Sequence, residues 1–210
     1  MIQKKYLDLA GLTAYDAKLK EWIKSGTVNI TDDEIIALFA IPYPANNEIW
    51  YTSIDGNIVT PDTDVLGAKI TSNTYEDGKG VITCDGDVTS VEDYAFYNCS
   101  NLTSITIPNS TMRIGYQAFY NCSNLTSITI PNSVTNIGTR VFYNCYNLTS
   151  ITIPNSVTRF GQGMFYDCSG LNSIIYEGTS TQWNAITKGT NWNYKVPATY
   201  VQCTDGQVTL

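Results

Sequence analysis

Phe96 to Ser110 reads FYNCSNLTSITIPNS, and the same fifteen residues return unchanged at Phe119 to Ser133 and, with Tyr146 in place of Ser, at Phe142 to Ser156. The spacing is 23 residues. A fixed period of this size marks one structural unit that is copied and stacked, each copy burying its apolar side against the next. Function on such a chain is to be sought on a repeated surface rather than in a pocket.

The register holds over four copies. Phe96, Phe119, Phe142 and Phe165 are 23 residues apart, and so are Cys99, Cys122, Cys145 and Cys168. Leu102, Leu125, Leu148 and Leu171 follow, then Ile105, Ile128, Ile151 and Ile174. Ile107, Ile130 and Ile153 give way to Tyr176 in the last copy, and Pro108, Pro131 and Pro154 give way to Glu177, so this copy frays into a cap. Within a copy, Leu102-x-x-Ile105-x-Ile107 predicts a short strand with these side chains inward. Pro108-Asn109 ends it, because Pro has no N–H for a ladder and Asn favours turns. Ile114 and Ala118-Phe119, around a Gly115 turn, predict a short helical or 3-10 turn on the opposite side. The expected fold is an α/β repeat solenoid, with strands on one face and helical turns on the other.

The pattern AF-YNCSNLTSITIPNSV-T-IG, carried by residues 88–179, resembles the BspA-type leucine-rich repeat of bacterial surface proteins. Asn47 to Pro61 and Gly78 to Val91 resemble the lead-in of such proteins, and Trp183 to Asn193 resembles their exit. The resemblance implies a right-handed superhelix that binds macromolecules, with adhesion to host proteins the role most often proposed. It implies no chemistry.

The first forty residues differ in character. Thr13 caps a predicted helix with Asp16 at the capping-box position, and Tyr15, Leu19, Trp22 and Ile23 fall on one face. Ser25-Gly26 ends it. A second start follows at Thr31, where Asp32, Asp33 and Glu34 suit a helix N-terminus ahead of Ile35, Ile36, Leu38 and Phe39. Tyr6 to Ser25 resembles N-terminal segments of phage and prophage structural proteins, which implies an attachment or homo-oligomerisation device and a solenoid displayed for receptor binding. The expected organisation is a helical segment over 1–40, a β-rich N-terminal cap over 41–87, four repeats over 88–179 and a C-terminal cap over 180–210.

At 210 residues and 43% hydrophobic the chain can bury a core. A net charge of −7 without any Lys/Arg cluster argues against a nucleic-acid partner. No stretch has the apolar length to span a bilayer. Asp8, Thr13 and Asp16 interrupt the apolar core that a signal peptide needs. The two resemblances nonetheless imply the cell surface, the extracellular space or a virion.

There is no histidine and no C-x-x-C, so neither a metal site nor a His-based triad is expected, and no cofactor is implied. The four repeat cysteines should form an inward column of small buried hydrophobes. Cys84 and Cys203 lie outside it, either free or paired. Asp85, Asp87, Glu92 and Asp93 read as a solvated cap; a carboxylate-based hydrolase is the catalytic alternative, but nothing builds the far wall of a cleft. Gly78-Lys79-Gly80 lacks the Walker spacing and reads as a hairpin loop. Asn-x-Ser/Thr sites at Asn98, Asn101, Asn121, Asn124 and Asn147 follow from the repeat.

Two columns remain as candidate binding surfaces of a non-enzymatic module whose partner is a protein or a glycan. Ser104 and Thr106, Ser127 and Thr129, and Ser150 and Thr152 form a hydroxyl ladder expected on the concave face. Tyr97, Tyr120, Tyr143 and Tyr166 form an aromatic column on the outer side, joined by Tyr94, Tyr116 and Tyr146. Tyrosine gives rigid amphipathic contact area. The plainer reading is rung-on-rung packing, since repeats copy packing residues first.

Overall fold

The computed structural model describes residues 44–62 and 65–210. The helices expected over 1–40 lie outside the described residues. Strands β1 (Glu48–Ser53), β2 (Ile70–Glu76) and β3 (Lys79–Cys84) pair antiparallel as an N-terminal cap. Each rung then contributes a two-residue strand and a longer one. These are β4 (Ser90–Val91) with β5 (Leu102–Thr106), β6 (Arg113–Ile114) with β7 (Ser127–Thr129), β8 (Asn136–Ile137) with β9 (Ser150–Ile153), and β10 (Arg159–Phe160) with β11 (Ser173–Tyr176). Helix α1 (Ser180–Ala185) precedes a fifth rung, β12 (Thr187–Lys188) with β13 (Tyr200–Cys203), and β14 (Gly206–Thr209) closes the stack.

The two-residue strands form one parallel sheet in the order β12-β10-β8-β6-β4. The longer ones lie in two sheets, β2-β3-β1-β5-β7 and β14-β13-β11-β9. Pairing is between equivalent positions, Ser104 with Ser127, Ile105 with Ile128 and Thr106 with Thr129, so like side chains lie above like. That registry turns each sequence column into a physical one. The buried phenylalanines Phe96, Phe119, Phe142 and Phe165 stack with ring centroids 5.2, 5.6 and 5.6 Å apart. Each such ring removed from water stabilises the stack by about 1.5–3 kcal/mol.

The expected helical turns are not present. The described residues hold one helix, the six-residue α1 with its Thr179/Gln182 capping box, and the fold is a β-solenoid rather than an α/β alternation. The reason is visible around Ala118-Phe119. Gln117 and Asn121 adopt left-handed φ of 52° and 58°, and alternate amides ladder to the next rung instead of to their own turn. Gln117, Phe119 and Asn121 donate to Thr139, Val141 and Tyr143 oxygens at 3.0, 3.0 and 2.7 Å. A helix would need those donors for itself.

Both ends are covered. Ile54 and Asp62 donate to Asn101 and Ala95 oxygens, and Val59 and Leu66 are buried at the first rung. At the other end Trp183 packs on Phe160 and Trp192, with centroids 5.8 and 5.7 Å away. Glu177, where the earlier copies have Pro, supplies an N–H that reaches the Ile153 oxygen at 3.0 Å.

Candidate functional site

Phe and Tyr are adjacent in each copy, so the chain sends the Phe ring inward and the Tyr ring out. Immediately after each Tyr the backbone turns through a left-handed residue: Asn98, Asn121, Asn144 and Asp167, with φ of 58, 58, 62 and 61°. Asn and Asp are among the few side chains that accept this conformation readily. The asparagines also tie the rungs together, with Asn121 Nδ2 donating to Asn98 Oδ1 at 2.9 Å.

The tyrosines thereby stack into a continuous rail. Tyr97, Tyr120, Tyr143 and Tyr166 have centroids 5.1, 4.9 and 4.5 Å apart, with interplanar angles of 16, 12 and 2°. A fifth ring extends it: Tyr194 stacks on Tyr166 at 4.6 Å. Sequence periodicity passes over Tyr194 because α1 lengthens the interval from Tyr166 to 28 residues. Its place is set by the ladder bond from Asp167 N–H to the Tyr194 oxygen, the counterpart of Asn144 N–H to Tyr166. Tyr94 joins edge-on to Tyr97 and Tyr116 at 5.7 and 5.2 Å. Tyr146 is exposed but makes no ring contact with the rail among the described residues.

The end rings are exposed, Tyr97 at 42% and Tyr194 at 47%, and Tyr120, Tyr143 and Tyr166 between them are partly buried. Neighbouring rings cover each internal ring face, so what reaches solvent is the ring edge and the hydroxyl. The Tyr143 phenol is pushed up from its ordinary pKa, first by desolvation and then by Tyr166 and Tyr120. It therefore remains a protonated donor across neutral pH.

The hydroxyl ladder is unevenly available. Thr52 of β1 lies 2.6 Å from both the Thr103 and Ser104 hydroxyls, so the cap occupies the first rung. Ser104 and Thr106 are half-buried, whereas Ser127, Thr129 and Ser150 are exposed and Thr152 is intermediate. The carboxylates at the start of the repeats serve the cap: Arg113 pairs with Glu92 and Asp93 at 2.7 and 2.8 Å, and Asp85 Oδ1 accepts from Lys69 N–H at 3.0 Å.

All six cysteines are free thiols, with Cys84 and Cys203 both buried. In the column, Cys122, Cys145 and Cys168 donate to the Phe96, Phe119 and Phe142 oxygens one rung back, at 3.1, 3.2 and 2.9 Å. Burial pushes Cys168 up to about 12 and raises Cys122 and Cys145 well above the ordinary thiol value of 9.0. Among the described residues no group of His, Cys, Asp or Glu side chains is placed to hold a metal ion, and no helix is long and apolar enough to cross a membrane.

These three thiols should resist alkylation in the native protein and react fully in denaturant, as mass spectrometry after iodoacetamide treatment would read. The folded state holds their protons more tightly than the unfolded chain. Stability is therefore intact below the unfolded thiol value and falls as pH rises through it toward about 12 for Cys168. Urea midpoints that hold steady above pH 9 would contradict the burial.

The family described as BspA type leucine rich repeat region matches residues 70–188 in six copies, two more than the four 23-residue copies seen in the sequence. No curated protein matches the chain. Among solved structures, a leucine rich repeat protein of T. pallidum is similar at 28% identity and a TM-score of 0.51, over 57% of this chain and 54% of that one. A leucine rich cell surface protein of Faecalibacterium prausnitzii matches at 33% identity and 0.41, over 49% and 33%. A leucine-rich repeat protein of Bacteroides capillosus matches at 25% and 0.43, over 64% and 97%. The chain thus spans about half the length of the first of these proteins and a third of the second. With the family's pattern matched over more than half of the 210 residues and its rungs stacked in register, the chain belongs to the BspA-type leucine-rich repeat family.

Proposed function

We propose that this chain is a non-enzymatic interaction module that holds a host or cell-surface macromolecule on the Tyr97–Tyr194 rail. Its repeat fold is of the protein-interaction kind. The observation that carries the reading is the rail itself: five rings held by successive stacking, exposed at Tyr97 and Tyr194 and partly exposed at the three between them. Rings already fixed lose little conformational freedom on binding, and tyrosine is a residue that anchors protein interfaces. The exposed hydroxyls of Ser127, Thr129 and Ser150, with the partly buried Thr152, are the second candidate surface. They lack such anchors, since Ser and Thr are under-represented among binding hot spots. A place at the cell surface accords with the similarity to the F. prausnitzii protein, which is described as a cell surface protein.

The test is an array of extracellular proteins and glycans probed with the full chain. Tyr120→Ala/Tyr143→Ala should lower the signals of true partners about tenfold or more, the loss of two anchors at upwards of ~1 kcal/mol each. Thr129→Ala/Thr152→Ala should leave them within about twofold. The reverse pattern would move the site to the strand face.

A further inference from the structure

Beside the rail runs a second row of left-handed residues, one per rung: Tyr94, Gln117, Arg140, Gly163 and Asn191, with φ of 64, 52, 56, 61 and 54°. Each stands three residues before a rail tyrosine, so the row borders the rail along its length. It is also where otherwise near-identical copies differ. A surface that must discriminate needs such a position, because identical rungs read nothing but period.

Arg140 occupies the middle rung. It is the single charged residue between Ile114 and Thr158, and it is exposed. Its guanidinium carbon lies 5.8 Å from the Tyr143 ring centroid. Its stem runs beside Gly163, where an added Cβ would stand 3.5 Å from Arg140 Cγ. Arg113 and Lys195 are paired with carboxylates. Among the described residues Arg140 is not.

The rail's chemistry narrows what could lie on it. Sugar rings recognised by aromatics need an open ring face, and here each internal face is covered by the next ring. The exposed edge carries the positive rim of the quadrupole together with hydroxyl donors, which suits acceptor oxygens such as backbone carbonyls and carboxylates. A net charge of −7 disfavours a polyanion. A second copy of this chain paired about a twofold axis at the middle rung would bring Arg140 against Arg140. Four intervals at the roughly 4.8 Å strand spacing make a rail about 19 Å long, which about six extended residues would cover.

We propose that the rail binds an extended polypeptide segment of about six residues bearing one carboxylate, and that Arg140 selects that carboxylate at the middle rung. This rests on the rail being the binding surface. The experiment is selection of displayed linear random peptides on the full chain, on Arg140→Gln and Arg140→Asn, and on Tyr120→Ala/Tyr143→Ala, with circular dichroism melts confirming that each variant folds. Asn is included because it accepts the left-handed backbone at this site. The expected wild-type pool is enriched in Asp or Glu at one position. A selected peptide carrying Asp should bind about tenfold more tightly than its Asn counterpart at low salt, the size of one charge-assisted hydrogen bond. Both Arg140 variants should bring that preference below about twofold, and salt should shrink it in the wild type. Wild-type peptides without an acidic position, an acidic preference that survives loss of Arg140, or retention of neutral hydroxyethylcellulose in place of peptides would overturn the assignment while leaving the rail as a binding surface. Peptide binding unaffected by Tyr120→Ala/Tyr143→Ala would overturn both.

Discussion

Phe142→Ala is expected to destabilise the solenoid by about 3–5 kcal/mol, the range for deleting a fully buried aromatic ring. Phe142 is 0% exposed and stacks between Phe119 and Phe165, 5.6 Å from each. Its loss opens a cavity at the third of five rungs, and the main-chain ladders on either side prevent the neighbouring rungs from closing it. For a chain of this length each kcal/mol moves Tm by roughly 2–4 °C, so a fall of about 6–20 °C should be seen by calorimetry. In a repeat array stability is close to a sum of rungs and nearest-neighbour contacts, so damage at a middle rung breaks two interfaces. A loss below about 1 kcal/mol would mean that the phenylalanine column does not hold the rungs together, against the cavity cost expected of a close-packed core.

Gly138→Ala should be nearly as severe for a different reason. A Cβ at Gly138 would stand 2.6 Å from the Gly115 carbonyl carbon and oxygen and 2.9 Å from Tyr116 N. The same crowding recurs at Gly115 against Glu92 and Asp93 and at Gly161 against Thr139, so this glycine column lets successive backbones approach. Backbone cannot move aside as a flexible side chain can, and the cost should reach or exceed the top of the ~1–3 kcal/mol range for overpacking. Gly86→Ala is the internal control, since its nearest neighbour would be Ala68 Cβ at 3.9 Å. Urea denaturation of the two variants should place Gly138→Ala far below the wild type and Gly86→Ala within about 0.5 kcal/mol of it.

Much of this was legible in the chain because the repeat is nearly exact. When Phe96, Phe119 and Phe142 recur at one interval, stacking follows from registry alone, and the inward leucines, isoleucines and cysteines follow with it. What periodicity could not supply was the local conformation between strands. Ile114 and Ala118-Phe119 have the apolar spacing of a helical turn, but the left-handed residues at Gln117 and Asn121 direct their amides to the next rung, and nothing in the composition of Gln117 announces this. Gly115 reads as a turn residue in sequence, whereas in space it is a point of backbone contact.

The candidate surface divides the same way. The Tyr97–Tyr166 column could be written down from the repeat, but Tyr194 could not, because α1 shifts it off the 23-residue interval. The hydroxyl ladder could also be written down, yet the contact of Thr52 with Ser104 depends on a cap strand 52 residues away in sequence. Arg140 carries no motif at all. It stands out only once the rungs are stacked and its neighbours on either side prove uncharged.

The measurement that bears most directly on the rail as the binding surface is a side-chain NMR titration of the protein with ring-labelled tyrosine and methyl-labelled threonine, using the tightest partner from the array. The prediction is that the resonances of Tyr97, Tyr120, Tyr143, Tyr166 and Tyr194 move while the Thr129 and Thr152 methyls stay in place. Movement of those methyls with the five tyrosines unchanged would contradict it, and would place the partner on the strand face instead.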